Sequence, residues 1–176
     1  MKIVRVLVRI VAPLGLVILA ACQTMPANET TTATKPETTL QASSKGAAVA
    51  VFLADTTQHP GWRAVKIQSG ILYVNPQPIV TREDLVGIRA GSNKEGEGLL
   101  ALSLNEVGHK KVMSVTAQNP NKRLALVVGR TMLAAPSYTT GVTSDQLVFG
   151  VGTEQNATAA AREIAGVDAQ PANGSK

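Results

Sequence analysis

The sequence has few of the residues on which enzymes, disulfide scaffolds and nucleic-acid-binding proteins depend. It contains one cysteine, two histidines and only 3% aromatic residues among 176. A single cysteine cannot form a disulfide within the chain, and it cannot build a zinc site from several thiolates. Two Phe, two Tyr and one Trp also offer little surface for stacking bases. The sequence therefore predicts no disulfide scaffold, no thiolate metal site and no base-stacking platform.

The charge of the chain is less basic than its total suggests. There are 17 Lys and Arg residues against 12 Asp and Glu, a formal net charge of +5. Three of the cations, Lys2, Arg5 and Arg9, lie at the N-terminus, so the remainder is close to neutral. Nucleic-acid-binding domains concentrate basic charge on one face. We therefore expect no nucleic-acid partner.

The N-terminus combines these cations with a short apolar segment. Residues 10–21 are uncharged and end in small side chains. A run of this length falls short of the ~20 residues that a membrane-spanning helix needs. A basic segment followed by a short apolar one is typical of a secretory signal peptide. Residues 1–21 are therefore predicted to be a signal peptide.

The end of this segment reads Leu19-Ala20-Ala21-Cys22, which resembles the lipobox of bacterial lipoproteins. In that family the cysteine thiol is alkylated with diacylglycerol, the peptide is cut before it, and the new amine is acylated. The resemblance implies lipidation at Cys22, and several acyl chains make a stable membrane anchor. Because Gln23 follows instead of Asp, it further implies the outer membrane, with the domain facing the periplasm. An ordinary signal peptide with an incidental cysteine is the alternative.

The mature chain is predicted to consist of a tether, one domain and a tail. Residues 22–45 are rich in Thr, Ala, Pro, Glu and Ser, a composition that buries too little surface to fold. Residues 167–176 are predicted to be a disordered tail. Residues 46–166 are long enough for one hydrophobic core.

Apolar runs and turn signals predict mainly strands in this domain. Leu100, Leu102 and Leu104 share one face of a strand, and so do Leu147, Phe149 and Val151. Asn75 to Pro78 is expected to break regular structure. The predicted strands cover residues 47–54, 62–68, 71–75, 86–90, 99–104, 123–128, 131–135 and 146–151.

Two helices are predicted among these strands. Asn105 can cap the first, which ends at Asn119-Pro120-Asn121. The second has apolar residues at helical spacing and ends at Gly166. Hairpin-length connections between most strands predict an α+β fold, with an antiparallel sheet and two helices packed on one face.

Several segments occur in the order found in a known family. They are residues 75–85, 102–108, 111–116, 122–128, 134–136, 147–150 and 153–154. Together they resemble the head subdomain of the first large periplasmic domain of SecD and SecDF, accessory subunits of bacterial protein export, over residues 71–166. The resemblance implies a SecDF periplasmic-head-like fold and a periplasmic role that faces polypeptide. Residues 47–68 are either an added hairpin or a remnant of another part.

The resemblance does not extend to the energy-coupled function of that family. SecD surrounds this head with a base subdomain and six membrane spans that carry proton-driven motion. The sequence contains no apolar run long enough for such a span. We therefore expect no proton path and no motor.

No residue pattern points to catalysis, a metal or a small-molecule cofactor. His59 precedes Pro60 in a predicted turn, and His109 lies on the predicted solvent side of the first helix. Neither has the context of a nucleophile elbow, and ligand spacing for zinc is absent. Both are expected to be exposed structural histidines, and the protein is expected not to be an enzyme.

The expected activity is binding. Exposed basic residues are candidates for contact with an acidic partner or with lipid headgroups, although an ordinary solvated rim is the alternative. Trp62 is either a core residue or an interface anchor. Apolar sheet surface left uncovered by the helices is expected to dock an extended polypeptide, or an edge is expected to accept a strand. The basic candidates are His109, Lys110, Lys111, Lys122, Arg123 and Arg130.

Two functions are therefore kept. The first is a membrane-anchored periplasmic lipoprotein whose non-enzymatic domain binds polypeptide or protein, linked to protein export or envelope assembly. The alternative is a structural accessory subunit of an envelope complex unrelated to translocation.

Overall fold

The structure is a computed structural model that describes residues 38–40 and 45–167. The predicted signal peptide, the lipidation of Cys22, most of the tether and residues 168–176 of the tail lie outside the described residues. Nine strands and two α-helices occur within the described part of the chain. They are β1 (Thr38–Leu40), β2 (Val49–Asp55), β3 (Arg63–Ile67), β4 (Gly70–Thr81), β5 (Leu85–Ser92), β6 (Glu97–Leu104), α1 (Glu106–Gln118), β7 (Arg123–Val128), β8 (Thr131–Ala134), β9 (Gln146–Thr153) and α2 (Glu154–Ala165).

The α+β class, with two helices and antiparallel pairing, is confirmed, but the strands form two sheets rather than one. The first has the order β1-β5-β6-β9, and the second has the order β3-β4-β2-β7-β8. Helix α1 packs mainly against β4, while α2 packs against β5, β6 and β9. The helices therefore do not share one face of a single sheet. Alternating polarity reports which face of a strand is buried, but it does not report which strands are neighbours.

A short turn moves the chain from one sheet to the other. Residues Arg82–Asp84 form a 3-10 helix between β4 and β5. The carboxylate of Asp84 accepts a hydrogen bond from the backbone N–H of Thr81 at 2.9 Å. Thr81 occupies the N-cap position of this turn.

Strand β4 continues through the segment that was expected to break. Phe52 faces Pro78 and Ala54 faces Val74, so the register between β2 and β4 shifts in this region. Strand β3 reaches only as far as Val74, which leaves the proline-containing part of β4 beyond its neighbour on that side. A bulge and an edge position both tolerate prolines.

Strand β2 is a central strand of the five-stranded sheet. It pairs with β4 on one side and with β7 on the other. Its residues Val49, Val51 and Leu53 are buried in the main core. Residues 47–68 were expected to be either an added hairpin or a remnant of another part. In the structure, β2 lies in the middle of a sheet, and only β3 belongs to a hairpin, which it forms with β4.

The N-terminal segment contributes a strand that was not predicted. Thr38–Leu40, inside the predicted disordered tether, pair with Ala90, Arg89 and Ile88 of β5. Leu40 packs against the main core. A leucine preceded by two β-branched residues suits an edge strand. The prediction missed this strand because it was based on the average composition of the whole segment.

The predicted core faces and helix caps are present. Leu100, Leu102 and Leu104 are buried, as are Leu147, Phe149 and Val151. Asn105 Oδ1 accepts a hydrogen bond from the backbone N–H of Gly108 at 2.8 Å. Gly166 ends α2 with φ of 69°, a left-handed conformation that glycine adopts at low cost.

Helix α1 also buries a polar residue that the apolar pattern missed. Thr116 is fully buried, while the neighbouring apolar residue Val115 is half-buried. The Thr116 hydroxyl donates to the carbonyl of Val112 at 2.7 Å and accepts from the N–H of Val142 at 2.8 Å. These bonds satisfy the hydroxyl and tie the loop before β9 to the helix.

Candidate functional site

The five-stranded sheet has a second apolar face. Ala54, Leu72, Val74 and Ala125 are buried in a cluster separate from the main core. No residue of either helix belongs to this cluster, so its covering comes from the sheet itself. The partly buried residues packed around it are Phe52, Val65, Ile67, Met132 and Ala135.

This face opens into a groove, which we call the β3–β8 groove. Its volume is about 780 Å³. Its lining contains residues 65–69, which we call the β3 wall, and residues 132–135, which we call the β8 wall, together with Arg123, Val151 and Gly152. Strands β3 and β8 are the two outermost strands of the sheet. Because both line the same groove, the sheet must curve so that its two edges approach each other.

Both walls are strand edges. Within the described residues, β3 pairs only with β4, and β8 pairs only with β7. In an antiparallel strand, alternate residues direct their N–H and C=O groups toward opposite sides. The outer side of each wall therefore presents backbone donors and acceptors beside an apolar surface. This combination is what strand addition by an extended peptide uses.

The charges that line the groove have one sign. Lys66 is exposed on the β3 wall, and Arg123 lies near the β8 wall. None of the described residues that line the groove is Asp or Glu. Arg123 Nη1 donates to the carbonyl of Ala135 at 2.7 Å, which orients the guanidinium. The groove therefore favours negatively charged groups.

Next to Arg123 lies a buried carboxylate with three hydrogen-bond partners. Asp55, at the end of β2, is only 6% exposed. It accepts hydrogen bonds from Lys122 Nζ, from His59 Nε2 at 2.7 Å and from the backbone N–H of Thr57 at 3.2 Å. Burial alone would raise the pKa of Asp55, but the hydrogen bonds from His59 and Lys122 outweigh it and hold the pKa well below its usual value. Asp55 is therefore ionised at neutral pH.

His59, which contacts Asp55, also contacts Trp62. The His59 side chain is 32% exposed, so it is half-buried and hydrogen-bonded to Asp55 rather than exposed as expected. Its ring centroid lies 4.3 Å from a ring of Trp62. Trp62 is partly buried and packs against the main core, which agrees with its interpretation as a core residue.

Tyr138 connects the loop after β8 to the same region. Its hydroxyl donates to the carbonyl of Asn119 at 2.5 Å, and its backbone N–H donates to the carbonyl of Lys122 at 3.0 Å. Burial, together with the negative charge of Asp55, raises the pKa of Tyr138 to about 12. The tyrosine therefore stays protonated and keeps the start of β7 in place.

The basic candidates on α1 are already engaged with neighbouring groups. Lys110 pairs with Glu106 at 2.5 Å, and Lys111 pairs with Asp84 at 2.9 Å. His109 is half-buried, contrary to expectation, because its Nε2 forms a hydrogen bond with the carbonyl of Thr143 at 2.9 Å. Glu106 and Lys110 have the i,i+4 spacing at which opposite charges meet on a helix surface.

The basic set is also divided in space. Arg123 begins β7, and Arg130 lies in the turn after the other end of that strand. Of the set, only Arg123 lines the groove. The remaining role of these residues as an interaction surface stays a prediction.

Within residues 38–40 and 45–167, no group of three or more His, Cys, Asp or Glu residues is arranged to hold a metal ion. No helix in this part of the chain has the length and apolar character required to cross a membrane.

The sequence analysis did not identify the residues of the groove, although two strands have a pattern that indicates a second apolar face. Strand β7 reads Arg-Leu-Ala-Leu-Val-Val, and β2 is nearly as apolar. A strand that is apolar at consecutive positions, instead of alternating, is covered on both faces. The sequence therefore contained evidence for a second apolar face, but not for the residues that surround it.

Comparison with known proteins identifies the domain. The sequence matches the family described as "SecDF, P1 head subdomain" over residues 62–166, more than half of the chain. This chain belongs to the SecDF P1 head family. The SecDF P1 head is a periplasmic, non-catalytic domain. The match begins at Trp62 and so includes β3, whereas the resemblance visible in the sequence begins at Ile71.

Solved SecDF structures share this fold. One, described as SecDF in a super-membrane-facing form, has a TM-score of 0.52 and 24% identity, covering 68% of this chain and 18% of that chain. Another, described as a membrane component SecDF that enhances protein export, has a TM-score of 0.54 and 22% identity, covering 69% of this chain and 63% of that chain. This chain thus spans less than two thirds of either. No curated protein matches the sequence.

Proposed function

We propose that this protein is a lipid-anchored periplasmic lipoprotein whose SecDF P1 head domain binds extended segments of polypeptide in the β3–β8 groove. We link this binding to protein export or envelope assembly. The observation that supports it most directly is an apolar groove bordered on both sides by strand edges. The edges supply backbone hydrogen bonds that suit any sequence, and the apolar floor receives side chains.

The dimensions of the groove favour weak and reversible binding. Two or three apolar side chains buried on the floor would each contribute about 1.5–3 kcal/mol. Association itself costs an estimated ~4–15 kcal/mol. Because this cost equals or exceeds the apolar contribution, binding also needs the backbone hydrogen bonds of the strand edges, and we expect a weak complex, which suits a protein that contacts a passing chain and releases it.

The anchor is the part of the proposal that rests on the sequence. The lipobox ends at Cys22, and the composition of residues 22–45 predicts a tether. Because β1 already begins at Thr38, about 15 residues separate Cys22 from the domain, and a flexible segment of that length has a root-mean-square span of ~20 Å. A domain held in this way would stay close to its membrane and would meet chains that emerge there.

Photo-crosslinking in cells tests this proposal. A photoreactive residue at Gln68, in the groove wall, should capture many unrelated exported proteins when Cys22 is intact. The same residue at Lys110, on the exposed side of α1, is the matched control and should capture few. One recurrent envelope protein at Gln68 would instead indicate a structural accessory subunit, and equal capture at both positions would reject the groove as the site.

A further inference from the structure

We propose that the β3–β8 groove selects extended segments that carry an acidic side chain among apolar ones. This inference rests on the proposed function, because it names the class of polypeptide that the same groove takes. It follows from how the charges around the groove are arranged and neutralised.

Two cations meet the groove from different strands. Lys66 belongs to β3, and Arg123 belongs to β7 next to the β8 wall. An extended chain in the groove would pass Arg123, whereas it would meet Lys66 only at the rim, because Lys66 alternates along β3 with Val65 and Ile67, which pack on the apolar cluster. Since none of the described residues lining the groove is acidic, no acidic side chain of the lining competes with a carboxylate on the bound chain.

The buried carboxylate of Asp55 does not take that place. Ala54 pairs with Arg123 across the sheet, so the next residue, Asp55, directs its side chain to the opposite face. There Lys122 and His59 occupy Oδ2, and the N–H of Thr57 donates to Oδ1. The charge of Asp55 is therefore compensated on the far side of the sheet, and Arg123 keeps its positive charge for the groove.

The guanidinium of Arg123 is also oriented by the protein before any ligand binds. One nitrogen, Nη1, donates to the carbonyl of Ala135, and a guanidinium has five N–H donors in a fixed fork. The remaining donors suit a carboxylate, which arginine binds with two parallel hydrogen bonds. Beside an apolar floor such a pair is screened less than an ion pair on the open surface.

Peptide binding to the full chain in detergent tests the selectivity. The probes are short extended peptides of alternating valine and threonine, blocked at both ends, with glutamate, glutamine or lysine at one central position. We expect the glutamate peptide to bind about fivefold tighter than the glutamine peptide, and the lysine peptide to bind weakest. Added salt should reduce the difference.

A charge reversal tests the contribution of the positive charge around the groove. Lys66→Glu should reduce the preference for glutamate, because it offsets the positive charge of Arg123, and the exposed residue is not expected to be needed for folding. Lys94→Glu, in the β5–β6 loop outside the groove, changes the net charge equally and should keep the preference.

The outcomes separate the two proposals. Equal binding of the glutamate and glutamine peptides would overturn the acidic selectivity while leaving polypeptide binding intact. Binding of none of the peptides would overturn both. A preference that appears only when the C-terminus is left unblocked would assign the cations to a terminal carboxylate and would overturn the side-chain assignment.

Discussion

Lys122 Nζ donates a hydrogen bond to Asp55 Oδ2 and thereby joins the start of β7 to the end of β2. The two residues are 67 positions apart in the sequence. Lys122 immediately precedes Arg123, the cation that lines the β3–β8 groove. The buried pair on one face of the sheet thus positions the residue that we expect to contact ligand on the other.

Removing the charge of Asp55 should destabilise the domain. Asp55→Asn leaves Lys122 without its carboxylate, and breaking a buried pair costs about 3 kcal/mol of unfolding free energy. Asp145→Asn, at an exposed position, is the matched control and should change the free energy by less than about 0.5 kcal/mol. Chemical denaturation measures both, and equal effects would contradict the role given to the pair.

The carboxylate of Asp55 should make the stability of the domain depend on pH. The pKa of Asp55 is lower in the folded protein than in the unfolded chain, so the folded state favours the ionised form. Its contribution is complete above the unfolded pKa of about 4 and is lost as the pH falls below that value. Urea denaturation in acid and at neutral pH should show a smaller loss for Asp55→Asn than for the unsubstituted protein. Identical losses would contradict the prediction.

Tyr138 should ionise at a higher pH than an ordinary tyrosine. Its pKa of about 12 lies above the ordinary value of about 10, so the stability that its protonated form provides is present below the ordinary value and is lost as the pH rises toward the higher one. The ultraviolet titration of the protein minus that of Tyr138→Phe isolates this residue. A midpoint near the ordinary value would show that the hydroxyl is more solvated than the structure indicates.

Gly108→Ala should destabilise α1 even though alanine is the better helix former by about 1 kcal/mol. A Cβ at this position would lie 2.8 Å from the Cβ of Asp84, so the helix would have to move away from the turn before β5. Val107→Ala, at a position 58% exposed, is the control and should leave the melting temperature unchanged or slightly raised. A stabilised Gly108→Ala protein would contradict the close packing.

Features that depend on neighbouring residues were predictable from the sequence. The cap at Asn105, the end of α2 at Gly166 and the buried faces of β6 and β9 follow from spacing and side-chain type. The α+β class follows from the order of these elements. The lipobox motif at Cys22 is equally local, although it lies outside the described residues.

Features that depend on distant pairing were not predictable. The central place of β2 and the division into two sheets depend on which strands pair, which periodicity does not report. The β3–β8 groove depends further on curvature that brings the two outer strands to one cavity. Asp55 could be noted as a charge at the end of a strand, but its partner Lys122 could not be inferred from spacing.

Polypeptide binding by two methionine variants tests the central claim most directly. Met132→Glu places a charge among the apolar residues of the groove, and Met113→Glu makes the same change on α1 at a position 40% exposed. Binding of a permanently unfolded, labelled polypeptide is measured by fluorescence anisotropy with the full chain in detergent. We predict that the unsubstituted protein and Met113→Glu bind alike, whereas Met132→Glu binds at least about tenfold more weakly while remaining folded by circular dichroism. Equal binding by all three proteins, or binding by none, would contradict the account.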